Sequence, residues 1–186
     1  MTRALISQGP IPGKGPVADL DMSTDLGGAL LPGPVLTASG CAAAGRELDQ
    51  FFDITQLGAI VTKSVMMQPR SGRATPRMAE TPSGMLNSIG LQGPGIDRFI
   101  ETDLAWLEER GARTIVSIAG GTVDEYAKLA ARLRVARGVA AIEVNISCPN
   151  VKKGGMAFGG DPRMTHEVVA AVRKATRLPI IPKLSP

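Results

Sequence analysis

Hydrophobic residues follow two different rhythms along this chain. Short continuous runs of Val, Ile, Leu and Ala are typical of strands buried on both faces, whereas longer segments repeat apolar residues at helical spacing. A pair of short apolar runs around Gly27 and Gly28 predicts a hairpin. The continuous runs predict strands over 34–39, 58–64, 114–120, 140–147 and 179–185.

Helical spacing fills the segments between these strands. It predicts helices over 45–57, 96–111 and 166–176. Thr122 and Glu125 form a capping box that predicts the start of a fourth helix. The apolar face of the helix over 96–111 contains Ile96, Phe99, Ile100 and Leu107. The apolar stripe after the capping box consists of Val123, Tyr126, Ala127, Ala130 and Leu133.

Strands that alternate with amphipathic helices indicate an α/β fold with a parallel sheet covered by helices. A (β/α)₈ barrel and an open, doubly wound sheet both fit this alternation. A barrel takes about 250 residues, whereas the chain has 186 and ends directly after its fifth predicted strand. We therefore expect a flexible Gly- and Pro-rich tail over 1–18, followed over 19–186 by either an open sheet or a barrel cut short.

Composition narrows the class of function. Aromatic residues make up 3% of the chain and the net charge is only +4, which argues against nucleic-acid binding. No apolar run approaches the roughly 20 residues of a membrane span, and the N-terminus lacks the apolar segment of a secretory signal. The two cysteines, Cys41 and Cys148, do not make a disulfide framework. We expect a cytoplasmic protein with reduced thiols.

Polar residues stand where the predicted strands end. In parallel α/β folds ligands bind at the carboxyl ends of the strands, where the following loops converge. A buried lysine there is costly unless an acceptor or anion meets it, although each lysine alone could simply extend into solvent. The residues at these positions are Ser39, Lys63, Ser64, Ser117, Asn145, Cys148, Asn150 and Lys183.

Several familiar kinds of site are not indicated. His166 is the single histidine and falls on a predicted surface helix, so neither a metal set nor a Ser/His/Asp triad can be assembled around it. No dinucleotide or phosphate-loop glycine motif follows a strand. Glu143 lies inside a strand, where a structural ion pair is the more natural interpretation than catalysis. Cys148 remains as the residue at the strand ends that can exchange a proton near neutral pH.

These motifs resemble the class 1 dihydroorotate dehydrogenases, above all the NAD-linked catalytic subunits of class 1B. The matching segments keep the order and spacing of that family from about residue 20 onwards; they are PVLTASG, GAIVTKS, PRMAETPSGMLNSIGLQGPG, VNISCPNVKKGG with FGGDP, and PIIPKLSP. The resemblance implies a (β/α)₈ barrel that binds flavin mononucleotide (FMN), here truncated after about its fifth strand. The loops that hold the flavin phosphate in the family would then be missing, and we expect this chain alone to bind flavin weakly.

The resemblance also implies a role for individual residues. Cys148 is similar to the catalytic base that removes a proton from C5 of dihydroorotate while the hydride at C6 passes to the flavin. Lys63 is similar to a lysine that contacts both flavin and substrate, and Asn145 to an amide that contacts both. The implied substrate contacts are completed by Asn87, Ser88, Ile89, Gly90, Leu91 and Asn150. The implied flavin contacts are completed by Ser39, Ser64, Lys183 and Ser117, the last standing where the family usually carries Asn.

The activity implied is oxidation of dihydroorotate to orotate in pyrimidine biosynthesis. Electrons would pass to NAD through a partner subunit that carries FAD and an iron–sulfur cluster, in a homodimer or heterotetramer. Two alternatives stay open. One is a flavoenzyme similar to dihydropyrimidine dehydrogenase, although those enzymes tend to carry His where Asn150 stands. The other is a half-barrel fragment that binds a partner or a phosphate ligand without catalysis.

Overall fold

The computed structural model describes residues 21–147, 152–153 and 156–184, so the tail predicted over 1–18 lies outside the described residues. The strands are β1 (Thr24–Leu26), β2 (Ala29–Leu31), β3 (Ile60–Val61), β4 (Met78–Thr81), β5 (Gly84–Asn87), β6 (Thr114–Ile118), β7 (Val139–Asn145), β8 (Lys152–Lys153), β9 (Met156–Ala157) and β10 (Ile180–Lys183). The α-helices are α1 (Ile96–Phe99), α2 (Ala105–Arg110), α3 (Val123–Arg134) and α4 (Pro162–Ala175).

A parallel sheet forms the centre of the fold, which confirms the α/β class. Its strands neighbour one another in the order β3-β6-β7-β10, and Leu36 bridges in parallel to Ala59 beside β3. The predicted first strand is thus reduced to one bridge at the edge of the sheet. The spatial order follows the order along the chain throughout the described residues. A doubly wound sheet instead reverses its order at a switch point, so this order is the one expected around a barrel.

The face of the sheet that the Lys183–Ser39 hydrogen bond spans, which we call the concave face, changes from apolar to polar along the strands. Residues two apart on a strand share a face, so Ile115 and Ser117 of β6 point the same way, as do Ala141, Glu143 and Asn145 of β7. The apolar members lie at the amino ends, where the predicted β1–β2 hairpin packs Leu31 against them. The polar members lie at the carboxyl ends of the strands, beyond the residues that pack against the hairpin.

The opposite face of the sheet carries the larger core. Val116, Ile118, Ile142 and Val144 pack there against buried residues of the helices, including Tyr126, Leu129 and Leu133 of α3 and Val168 and Val172 of α4. The Thr122 cap is present, since its side chain accepts a hydrogen bond from the Glu125 amide at 3.1 Å. The Glu125 carboxylate bonds to the amide of Gly121, one residue before the cap.

The helix predicted over 96–111 forms with an interruption. A π-helical turn over Ile100–Leu104 separates α1 from α2. This turn rotates Leu104 into the core while Ile100 becomes only half-buried. The simple helical period therefore places Ile96, Phe99 and Leu107 correctly and misses Leu104.

The helix predicted over 45–57 is wrong. The segment forms two 3₁₀ turns, Leu48–Gln50 and Ile54–Gln56. Asp53 explains the break, because its carboxylate accepts hydrogen bonds from the amide and the hydroxyl of Thr55 at 3.0 and 2.8 Å. Such a local turn competes with helix formation. Phe51 is 80% exposed, whereas Ile54 is buried and Leu48 and Leu57 pack against its cluster, so only part of the apolar pattern marks a packed face.

Candidate active site

A cavity of about 470 Å³ opens at the carboxyl ends of the parallel strands. It brings together residues that end or follow the Leu36 segment, β3, β7 and β10 with residues of the segment from Asn87 to Leu91. Its lining contains most of the side chains that the sequence singles out; the residues are Ser39, Gly40, Lys63, Ser64, Asn87, Ser88, Ile89, Gly90, Leu91, Asn145, Ser147 and Lys183. Gly40 and Ser147 are additions that the strand pattern alone did not identify.

Asn145 is fixed at the end of β7 by bonds on both sides of its amide. Its side-chain nitrogen donates to Ser64 Oγ at 2.9 Å, and its side-chain oxygen accepts from Ser147 Oγ at 3.0 Å. Its backbone oxygen accepts from the Tyr126 hydroxyl at 2.7 Å, which ties the strand end to α3. Because Asn145 is only 9% exposed, these hydrogen bonds fix the orientation of its side-chain amide at the cavity.

Ser117 contacts Ser64, the residue that accepts the hydrogen bond from Asn145. It is fully buried, and its hydroxyl lies 2.9 Å from Ser64 Oγ. Ser117 does not line the cavity, whereas Ser64 does. Ser117 therefore lies behind Ser64 as seen from the cavity, and the flavin contact expected for Ser117 stays a prediction.

Lys183 reaches across the concave face of the sheet. Its ammonium donates to Ser39 Oγ at 3.1 Å and lies 3.9 Å from a carboxylate oxygen of Glu143. An ammonium has three hydrogens in total. Because Lys183 also lines the cavity, it can offer positive charge to a ligand while Ser39 and Glu143 hold it from the sides.

Lys63 is half-buried at the end of the β3 segment. Its backbone amide donates to the carbonyl of Ala43 at 2.8 Å, so the chain that carries it is anchored. Among the described residues, no carboxylate forms an ion pair with its ammonium. A cation on the cavity wall without a carboxylate partner in this part of the chain suits an anionic ligand.

The loop after β5 has a fixed backbone. Gly90 and Leu91 adopt left-handed φ angles of 82° and 54°. A Cβ atom on Gly90 would come within 2.9 Å of the Arg73 amide nitrogen, so only glycine fits. The Arg73 amide donates to the carbonyl of Ile89 at 3.0 Å. The backbone of the loop from Asn87 to Leu91 is therefore constrained where it lines the cavity.

This loop depends on a hairpin that the sequence pattern did not predict. Strands β4 and β5 pair in antiparallel register, and every residue of both strands is exposed. Without a buried face they show no alternation of apolar and polar residues. The only available signal is the Thr81–Gly84 segment, whose Pro and Gly are typical of a turn.

A second cavity of about 810 Å³ adjoins the first and shares Lys63, Ser64 and Ile89 with it. Three arginines border this larger cavity, namely Arg46, Arg70 and Arg98. Arg46 is already engaged, since it donates to the Thr102 carbonyl at 3.0 Å and stacks 4.5 Å from the Trp106 ring centre. Asn145 and Lys183 border only the smaller cavity, which therefore holds the chemistry expected at the strand ends.

Two predicted site residues, Cys148 and Asn150, lie outside the described residues. Ser147, which directly precedes Cys148, lines the smaller cavity. The other cysteine, Cys41, is exposed and does not line it. The antiparallel pair β8–β9 follows further along the chain.

Comparison with known proteins identifies the family of the chain. A family model described as dihydroorotate dehydrogenase matches residues 21–186. The chain belongs to the dihydroorotate dehydrogenase family. Membership confirms the resemblance found in the sequence, and it covers the parallel sheet and every described residue of the cavity.

Individual family members are similar over most of the chain. A protein of Desulforamulus reducens is 52% identical over 90% of this chain, one of Desulforudis audaxviator 53% over 87%, and one of Geobacillus kaustophilus 48% over 89%. Each is named dihydroorotate dehydrogenase B (NAD(+)), catalytic subunit. The matched part is 52–55% of the length of these relatives, so the chain spans about half of each.

No helix in the described ranges is both long enough and apolar enough to cross a membrane.

Proposed function

We propose that the protein containing this chain oxidises dihydroorotate to orotate with FMN, as a class 1B catalytic subunit in pyrimidine biosynthesis. One observation carries the proposal: Lys63, Asn145, Lys183 and the rigid loop from Asn87 to Leu91 meet in one cavity at the strand ends. The names of the similar proteins give dihydroorotate dehydrogenase activity to chains about half identical to this one.

The donors of the cavity suit FMN. The pyrimidine edge of an isoalloxazine ring presents carbonyl and ring-nitrogen acceptors, and the amide of Asn145 and the ammonium of Lys183 can donate to such groups. The hydroxyl groups of Ser39 and Ser64 lie beside them. When bound, FMN supplies an electron sink for the oxidation. A fixed ammonium favours the negative charge that a flavin gains on reduction.

The same cavity suits the substrate. Dihydroorotate carries a carboxylate, two carbonyl groups and ring N–H groups. The Lys63 ammonium can pair with the carboxylate, and the Asn87 amide with the backbone of the loop to Leu91 can meet the ring. We assign Asn150 to the same ring and Cys148 as the base that accepts the C5 proton. Cys148 needs no metal for this role.

We further propose that the sheet is part of a (β/α)₈ barrel. The sequential strand order supports this, as does the bond from Lys183 to Ser39 across the concave face. In this arrangement the strand ends form one mouth, where flavin and substrate stack.

The word "subunit" in the names of the relatives supports a partner chain. We propose that electrons leave the FMN for a second subunit with FAD and an iron–sulfur cluster, and from there reach NAD in the cytoplasm. The assembly would be a homodimer of this chain or a heterotetramer with the partner.

Anaerobic mixing of the FMN-loaded full gene product with dihydroorotate tests the activity. We expect rapid loss of the visible absorbance of oxidised flavin and formation of orotate, with no comparable change when dihydrouracil is used. Reduction by dihydrouracil instead would assign the protein to dihydropyrimidine chemistry. Failure of both compounds to reduce a bound flavin would support a role in binding alone.

A further inference from the structure

Glu143 is a carboxylate inside the sheet that the proposed reaction does not yet use. It belongs to β7, where its register partners are Ser117 of β6 and Ile181 of β10. It shares the concave face with Asn145, two residues further along the strand. The residue is only 9% exposed. A charged group thus lies one step below the floor of the cavity.

The surroundings of Glu143 are incomplete among the described residues. One carboxylate oxygen, Oε1, is buried and has no hydrogen-bond partner in this part of the chain. The other, Oε2, lies 3.9 Å from the Lys183 ammonium. A buried carboxylate is costly unless it is paired. Lys183 is therefore the counter-charge of Glu143.

The Lys183 ammonium has two contacts with neighbouring side chains, one with Ser39 and one with Glu143. Ser39 Oγ accepts from its ammonium at 3.1 Å, which is a full hydrogen bond. The Glu143 contact at 3.9 Å is longer and acts mainly through charge. Lys183 is also one of the residues that line the cavity. The carboxylate therefore opposes part of the positive charge that the ammonium offers to a ligand.

We propose that Glu143 is a positioning residue that holds the Lys183 ammonium at the cavity wall and lowers the midpoint potential of the bound flavin. The inference rests on the proposed function, because it requires FMN in this cavity. A cation beside the flavin stabilises the negative charge gained on reduction and raises the potential. A carboxylate against that cation weakens the effect. A lower potential favours the onward transfer of electrons.

The test compares flavin midpoint potentials in the FMN-loaded full gene product, measured by anaerobic titration against reference dyes. Glu143→Gln keeps the size of the side chain and removes its charge. We expect a more positive potential, which at a fixed applied potential raises the ratio of reduced to oxidised flavin by on the order of tenfold. The matched control is Glu109→Gln on α2, an exposed carboxylate away from the cavity, and it should leave the ratio unchanged.

A second variant protects the test against misfolding. Glu143→Asp keeps the charge but withdraws the carboxylate by one methylene from Lys183, so we expect a smaller shift in the same direction. In a Lys183→Met background, Glu143→Gln should shift the potential much less than in the wild-type background, because the influence of Glu143 passes through the ammonium. This lack of additivity separates positioning from a general effect of charge.

Each outcome has one meaning. If Glu143→Gln melts at a lower temperature but keeps the wild-type potential, Glu143 is a structural ion-pair residue and the inference is wrong. If Glu143→Gln does not fold, an unchanged potential in Glu143→Asp overturns the inference in the same way. If the wild-type protein binds FMN that dihydroorotate does not reduce, the proposed function fails, whereas the response of the potential to Glu143→Gln still decides the role of Glu143. A wild-type protein that binds no FMN overturns both.

Discussion

The Lys183 ammonium donates a hydrogen bond to Ser39 Oγ at 3.1 Å, although these residues belong to opposite edges of the parallel sheet. Ser39 follows the edge segment that bridges at Leu36, and Lys183 ends β10 at the other edge. Neighbouring strands lie about 4.8 Å apart, so four steps across a flat sheet would separate these edges by about 19 Å. The contact therefore requires a strongly curved sheet whose concave side forms the cavity.

Ser64 connects Asn145 to Ser117 beneath this cavity. Ser64→Ala leaves the buried side-chain nitrogen of Asn145 without its acceptor at 2.9 Å. We expect the free energy of unfolding to fall by about 1–3 kcal/mol, the usual cost of an unsatisfied buried group. Urea denaturation measures this change. Ser71→Ala, at an exposed serine, is the matched control. Equal stability of the two variants would show that the Ser64 bond does not hold Asn145.

Lys63 provides the positive charge that we assign to the substrate carboxylate. Lys63→Met should raise the dissociation constant of orotate at least about tenfold, since charge-assisted hydrogen bonds contribute about 1.5–3 kcal/mol. The perturbation of the flavin spectrum by orotate gives this constant. Lys128→Met removes an exposed lysine that pairs with Asp124 on α3 and should leave it unchanged. If both variants bind orotate equally well, Lys63 does not hold the carboxylate.

The sequence predicts secondary structure correctly where a residue's environment depends mainly on its neighbours along the chain. The continuous apolar runs over 140–147 and 179–185 placed Asn145 and Lys183 at the strand ends, and the run over 114–120 identified the fully buried strand β6. The hairpin around Gly27 and Gly28 follows from turn chemistry in the same local way.

Other features depend on contacts that the local pattern does not contain. The 45–57 segment has apolar residues at helical spacing, but the side chain of Asp53 forms a turn that ends the helix. The exposed β4–β5 hairpin has no buried face to leave a periodic trace. The pairing of Lys183 with Ser39 joins residues 144 positions apart, so only the curvature of the sheet reveals it.

Cys148 is the proposed base, and the chain offers a natural control for it. Cys148→Ser replaces the thiol with a hydroxyl that gives up its proton far less readily. We expect the rate of flavin reduction by dihydroorotate to fall by about 10²–10⁴-fold at neutral pH, the range of general-base catalysis. Cys41→Ser, at the exposed cysteine, should react like the wild type. Stopped-flow absorbance measures both rates. Similar losses in the two variants would contradict the assignment.

Asp161 caps α4 and gives a prediction about pH. Hydrogen bonds from the backbone amides of Met164 and Arg163 lower the pKa of its carboxyl below the ordinary value of 3.8. The folded state therefore binds this proton less readily than the unfolded state. The stabilisation is complete above the ordinary value and is lost as the pH falls through the folded value.

The difference in melting temperature between Asp161→Ala and the wild type should consequently be largest at neutral pH and shrink in strong acid. Asp161→Asn retains an acceptor for the Arg163 amide, which bonds at 2.7 Å in the wild type, and should lie between the two at neutral pH. A difference between Asp161→Ala and the wild type that does not change with pH would show that the charge of the cap contributes nothing.

The location of bound orotate tests the central claim most directly. A crystal structure of the full gene product with FMN and orotate should show orotate in the smaller cavity, with its carboxylate at Lys63 and its ring against the loop from Asn87 to Leu91. The flavin should lie beside Lys183 and Asn145. Orotate bound instead among the arginines of the larger cavity, or a flavin remote from Lys183, would contradict the account.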